Sequence, residues 1–174
     1  MPGPDAYLTN VVVRRQLQAV GLCQVSGQPS RVKPAVMDKT SFIERLNEDL
    51  GTEYQSIVQY VQHAATIKGP EYHSIAEEID THLSQELEHA KILAQQIDFL
   101  GGKPTVKVPT VPDAADGIAA LKADVELEQR QLDRYRKRVA EANDLGLPDV
   151  AEALKPLLQQ TQDHVRELQD ALAR

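Results

Sequence analysis

Five side chains in this sequence, Glu53, Glu86, His89, Glu128 and His164, have the types and spacing to hold a metal ion. Glu86 and His89 are three residues apart, which on a helix puts both on one face about one turn from each other. Carboxylate oxygens joined by one imidazole per ion suit iron or manganese and also accept zinc. Two ions linked by carboxylates would let a pair of ferrous ions deliver electrons to dioxygen or peroxide. Three uncompensated carboxylates buried at one level would be strongly unfavourable, because each loses its hydration and repels the others. A bound cation removes that conflict. For any one of these residues alone, the competing reading is a polar group at a helix edge, satisfied by water or a salt bridge.

Apolar periodicity supplies the elements that must position them. Stripes at three- and four-residue steps predict helices over about 38–68, 71–100, 114–142 and 148–172. The first stripe reads Ile43, Leu46, Leu50, Glu53, Ile57, Tyr60, Ala64, Ile67; the third starts at Ile118 and passes through Leu121, Val125, Glu128, Leu132 and Tyr135. Each helix interrupts its stripe with polar residues near its midpoint. Glu53 lies 16 residues before Gly69, Glu86 lies 16 after Pro70, Glu128 lies 17 before Leu145, and Thr161 lies 16 after Leu145. The four positions therefore share one height in a bundle.

Short joints between the first and second helices, and between the third and fourth, predict two antiparallel hairpins. Between the hairpins, Gly101 to Asp116 carries Pro104, Pro109 and Pro112 and reads as extended chain. At roughly 3.1–3.3 Å per residue it reaches about 50 Å, enough to run back along a 30-residue helix of about 45 Å. The fold expected is an all-α four-helix bundle with one long crossover between its second and third helices. Residues 1–37 read as an amino-terminal extension with a short helix from about Leu8 to Leu22, leaving 38–174 as the bundle. Pro156 is expected to bend the fourth helix, and no repeat beyond the two hairpins is evident.

Bulk properties narrow the classes. The chain has 174 residues, a formal net charge of −7 and a single cysteine, Cys23. One domain is expected, no thiolate metal site can be built, and net acidity weighs against DNA. The basic run at 134–138 reads as a solvated helix face. No apolar run is long enough to span a membrane, and the start at Met1-Pro2-Gly3-Pro4-Asp5 lacks the basic and apolar parts of a secretory signal, so a cytoplasmic protein is expected.

Around the candidate ligands the sequence resembles the ferritin-like superfamily, bacterioferritin and the smaller Dps-like ferritins above all. The stretch from Glu53 through Tyr60 to His63 resembles the first metal-bearing helix of that family. Glu86-Leu87-Glu88-His89-Ala90 matches its E-x-x-H-A element, Phe99 to Pro104 looks like its helix-ending segment, and Asp124-Val125-Glu126-Leu127-Glu128 resembles its third-helix motif. The resemblance covers about 38–172. It implies a diiron centre that oxidises Fe(II) with dioxygen or peroxide and a hollow homo-oligomeric shell that stores the ferric mineral; the departures below leave one or two iron ions, and a cage or a dimer, as the expectation. By position it assigns Glu53 and His89 to one ion, His164 to the other, and bridging roles to Glu86 and Glu128. Tyr60, seven residues after Glu53, would hydrogen-bond a ligand carboxylate. His63 and His82 read as satisfied or exposed polar groups.

Two departures stand out. Thr161 replaces the family's fourth carboxylate, with Gln160 and Asp163 the nearest other oxygen donors; Asp163 points about 100° away from His164 around the helix. Leu87 replaces the methionine that ligates haem in bacterioferritin, so no haem is expected there. Ten residues follow His164, too few for a short fifth helix. The rival readings are a peroxide-consuming oxidase using iron or manganese, and a structural bundle with a degenerate metal site.

Overall fold

A computed structural model describes residues 37–69 and 72–173. Among these residues there are four helices and no strand: α1 (Lys39–Thr66), α2 (His73–Phe99), α3 (Gly117–Asp144) and α4 (Pro148–Leu172). This is the all-α four-helix bundle with the long crossover between α2 and α3. The short helix expected at Leu8 to Leu22, Cys23, and the expected start of the second helix at Glu71 lie outside the described residues.

Local chemistry sets the helix ends. Asp38 caps α1, its carboxylate accepting from the Ser41 N–H at 2.8 Å, and Asp116 caps α3 in the same way from Ala119 at 2.8 Å. The latter cap explains why α3 begins three residues later than periodicity alone suggested. Gly101, at φ 83°, closes α2 by sending its N–H to the Asp98 carbonyl at 2.8 Å, a left-handed turn that glycine adopts without penalty. Pro156 sits inside α4 without ending it.

Two apolar layers fill the bundle. Phe42, Leu46, Leu50, Leu93, Ile97 and Leu154 are among those packing one end, while Ile79, Leu121 and Leu168 pack the other. Between them lies a polar layer of Glu53, Glu86, His89, Glu128, Thr161 and His164, each 0–1% exposed.

The burial pattern corrects the expected stripes. On α1, Phe42, Ser56 and His63 are buried, whereas Ile43, Ile57 and Ala64 are only partly so. Ile118, read as inward, is 42% exposed. The cause is a second, polar seam between α1 and α3 that apolar periodicity does not register. Along it Asp49 receives the Arg138 guanidinium (Nε to Oδ2, 2.6 Å), Ser56 donates to Gln131 at 2.9 Å, and Gln59 donates to Asp124 at 2.7 Å. His63 closes the seam, its Nδ1 2.8 Å from Asp124 Oδ1. The basic run is thus not wholly a solvated face. Arg138 is 5% exposed and paired, and Arg134 donates to Thr52 Oγ1 at 2.7 Å.

An internal repeat, unexpected from the hairpins alone, becomes visible once partners are known. Asp49 and Asp124, Glu53 and Glu128, Tyr60 and Tyr135, Gln85 and Gln160, and His89 and His164 are each 75 residues apart. Apart from the two aspartates, which meet Arg138 and His63 on the seam, each member makes the contact its counterpart makes in the other hairpin, as the centre described next shows.

The crossover is strapped along α1. Thr105 N donates to Asn47 Oδ1 at 2.6 Å while Asn47 Nδ2 donates to the Lys103 carbonyl at 3.2 Å; farther along, Gln55 donates to the Thr110 carbonyl at 3.3 Å. Gly51 lies between, and a Cβ there would stand 3.3 Å from the Lys107 carbonyl. No described helix is long and apolar enough to cross a membrane.

Candidate metal centre

The four helices deliver their midpoint side chains to two adjoining groups. Glu53, Glu86 and His89 form one; Glu86, Glu128 and His164 form the other, with the donor atoms of each group within 4.8 Å of one another. Glu86 belongs to both. His89 Nδ1 is 3.1 Å from Glu86 Oε2 and 3.8 Å from Glu53 Oε2. His164 Nδ1 is 2.9 Å from Glu86 Oε1 and 3.4 Å from Glu128 Oε2. All five expected ligand positions therefore meet at one level. Glu128, expected to bridge, joins only the second group. The position related to Glu86 by the 75-residue step is Thr161, whose buried hydroxyl has no hydrogen-bond partner among the described residues.

The shell around these groups is reciprocal. Tyr60 donates its hydroxyl to Glu128 Oε1 at 2.5 Å, and Tyr135 donates to Glu53 Oε1. Tyr60 thus holds a candidate ligand's carboxylate, as expected, but the one supplied by the opposite hairpin. His89 Nε2 lies 2.7 Å from Gln160 Oε1, and His164 Nε2 lies 2.5 Å from Gln85 Oε1. An amide oxygen accepts the Nε2–H, so each ring turns Nδ1 toward the carboxylates. Gln131 adds a bond to Glu53 Oε1 at 2.8 Å. Tyr135, Gln85 and Gln131 were not recognised from sequence as part of the site, and Gln160, noted there as an oxygen donor near Thr161, instead accepts from His89. Matching residues across the 75-residue step would have revealed Tyr135 and Gln85. His63 stays outside the centre on the α1–α3 seam, and Asp163 pairs instead with Arg166 on the outside of α4 at 3.0 Å.

Without an ion, protons settle the charge. Burial, then the neighbouring Glu86 charge, pushes Glu53 well above the carboxylate range. Burial pushes Glu86 the same way, but the close Glu53, His164 and His89 side chains together outweigh it and hold Glu86 well below its ordinary value. Burial and the Glu86 charge raise Glu128 to about 7. Burial lowers each imidazole, yet the carboxylates more than reverse it: His89 rises to about 11 beside Glu53 and Glu86, and His164 to about 9 beside Glu128 and Glu86. The metal-free centre is therefore a proton-filled one.

Those protons do not satisfy every atom. Close as they lie to one another, Glu53 Oε2, Glu86 Oε1, Glu128 Oε2 and His164 Nδ1 are buried with no aligned hydrogen-bond partner among the described residues, and all four sit on residues of the two donor groups. Unpartnered buried polar atoms are rare because each forfeits its hydration without return. Their convergence fits a cation, and the mixture of carboxylate oxygens with one Nδ1 per group fits a divalent transition metal such as iron.

The profile of the ferritin-like domain family matches residues 43–174. This chain belongs to that family. Among curated proteins, the ferritin-like chain is 30% identical to a bacterial ferritin of Paramagnetospirillum magnetotacticum over 103 residues, or 59% of the chain. That match spans 63% of the relative's length. Among solved structures, ferritin-like, diiron-carboxylate proteins from Bacillus anthracis str. Ames superpose with a TM-score of 0.75 at 32% identity, covering 78% of this chain and 99% of theirs. A dodecameric thioferritin, the bacterioferritin-related protein of Bacteroides fragilis, superposes with a TM-score of 0.69 at 26% identity, covering 79% and 88%. The helices of the ferritin-like domain are the ones that bring the two donor groups together.

Proposed function

We propose that this ferritin-like chain binds iron at Glu53, Glu86, His89, Glu128 and His164, oxidises Fe(II) there, and so stores or detoxifies iron. The observation that carries this reading is the pair of donor groups sharing Glu86, with four buried atoms aimed inward and unpartnered. The names of the bacterial ferritin and the diiron-carboxylate relatives support iron as the ion.

Fe(II) entering the centre must displace protons before it meets lone pairs. His89 and His164 release theirs from Nδ1, while each Nε2–H stays on its glutamine and holds the ring in place. Glu53 releases its proton as well and remains anchored through Oε1 by Tyr135 and Gln131. Two ferrous ions then surrender one electron each; with two protons these reduce dioxygen to hydrogen peroxide, or hydrogen peroxide to water. Residues 38–174 carry this chemistry, with 1–37 as an extension. A homo-oligomer, cage or dimer, is part of the proposal: Val58, Val61 and Leu87 are about half exposed, and the Bacteroides fragilis relative is named as dodecameric.

The test mixes purified protein with Fe(II) anaerobically and then admits oxygen. Ferric absorbance should rise faster than with the Glu53→Ala/Glu128→Ala variant; equal rates would sink the proposal. Thr161 favours a second reading, a structural bundle with a degenerate centre, which predicts high stability with no metal bound. Metal content and peroxide consumption separate iron storage from a manganese- or iron-dependent peroxide-consuming oxidase.

A further inference from the structure

A third donor group lies outside the deep centre. His82 is buried, its side chain 1% exposed, yet its Nε2 faces outward, 3.0 Å from Glu167 Oε2 and 3.5 Å from Glu78 Oε1. Both carboxylates reach solvent, with side chains 38% and 47% exposed. They line a cavity of about 180 Å³ that Ser74 and Asp170 also border. The donor atoms of Glu78, His82 and Glu167 fall within 4.8 Å of one another, the same closeness as in the deep groups.

We propose that Glu78, His82 and Glu167 form a mononuclear site for a divalent transition-metal cation, distinct from the deep centre and opening to solvent through this cavity. One imidazole with two carboxylates is a donor set that such ions accept and that magnesium or calcium, which prefer oxygen alone, do not.

The internal repeat argues that this group is more than packing. The counterpart of His82, 75 residues on, is Leu157, which is fully buried; those of Glu78 and Glu167 are Ala153 and Ile92. The same place in the other hairpin is thus filled by hydrocarbon, so bundle packing does not require an imidazole. Partial burial, then the Glu167 charge, holds the Glu78 carboxyl above its ordinary value, consistent with two carboxylates crowding one space. Arg166 stands 3.8 Å from Glu167 Oε1, which leaves Oε2, the oxygen beside His82, facing the cavity group. The His82 ring also stacks on His164, with centroids 4.0 Å apart and planes 25° from parallel, so the outer site abuts the second deep group.

The full chain is titrated with Co2+ by equilibrium dialysis in four forms: unchanged, His82→Leu, Glu78→Gln/Glu167→Gln, and Glu53→Ala/His89→Ala. Leucine is chosen because Leu157 already fits the related position, and the glutamine pair changes only partly exposed groups. Each of the two outer-group variants is expected to bind one equivalent less than the unchanged chain, and the deep-centre variant to keep that outer equivalent. Retention of every equivalent by either outer-group variant overturns the proposal. Loss confined to the outer-group variants, with none on removing Glu53 and His89, would leave this site standing and remove the Glu53–His89 ion from the deep iron centre instead.

Discussion

Tyr60 and Tyr135 show how single residues tune the deep centre. Each phenol holds the carboxylate on the other hairpin, Tyr60 on Glu128 and Tyr135 on Glu53. Replacing either with phenylalanine removes a hydrogen bond from a buried carboxylate, leaving Glu53 Oε1 only Gln131, and losing such a supporting bond commonly weakens metal binding about 10- to 100-fold. Tyr60→Phe should weaken the group containing Glu128 and Tyr135→Phe the group containing Glu53. Metal titrations that show both variants losing the same binding step would refute this division. Thr161 permits the reverse experiment. Thr161→Glu adds a buried acid where the repeat lacks one, so the metal-free variant should melt lower than the parent. Saturating Co2+ should then raise its melting temperature by more than it raises the parent's; an equal rise would mean the new carboxylate does not reach the ion. The five ligand candidates were legible because acids and histidines interrupt apolar stripes at matched heights. Gln85 and Gln131 were not, nor was the role of Gln160 as the acceptor for His89, since an amide beside a helix face reads as ordinary surface until its partner is known.

At the level of elements, apolar period and turn residues were enough to place four helices and the crossover. They failed along the α1–α3 seam. Asp49, Ser56, Gln59 and His63 are buried against Arg138, Gln131 and Asp124, and a hydrophobicity pattern assigns all of them to solvent. Burial of such groups is tolerated because each finds a partner across the interface, and pairing across helices leaves no trace in the spacing within one. The crossover depends on a smaller number of contacts. Asn47 makes two hydrogen bonds to its backbone, each worth roughly 0.5–1.5 kcal/mol. Asn47→Ala should therefore lower unfolding free energy by about 1–3 kcal/mol in urea titrations. Amide exchange should accelerate first in residues 103–110; unchanged protection there would show that the strap is held by other contacts.

For the whole molecule, the proton-filled centre, together with Asp49 on the α1–α3 seam, makes stability depend on pH. Burial, outweighing Arg138, raises Asp49 to about 6, and Glu128 and His164 are raised to about 7 and 9. A raised folded-state value means that the native chain holds more protons than the unfolded one. Its contribution is complete below the unfolded value and is lost as pH climbs through the folded one. The carboxyls act in the window from about 4 to 7 and His164 from 6.5 to about 9. Glu86, with its lowered value, acts oppositely, adding stability above its ordinary range that is lost in acid. Chelator-treated protein should thus melt at progressively lower temperature from pH 5 to pH 9 in calorimetry. Bound metal should flatten that slope, because cations then replace the protons; a metal-free profile that is level or rises with pH would contradict the charge assignment.

The division of ligands between the hairpins also bears on the chain as it leaves the ribosome. Glu53, Glu86 and His89 all belong to α1 and α2, so one donor group is already complete in the first-made hairpin. The phenol and amides that steady it, from Tyr135, Gln131 and Gln160, are synthesised later, and the second group waits for α4. An ion met early in synthesis would be gripped loosely at one place, and room for a neighbour would open only after the final helix docks.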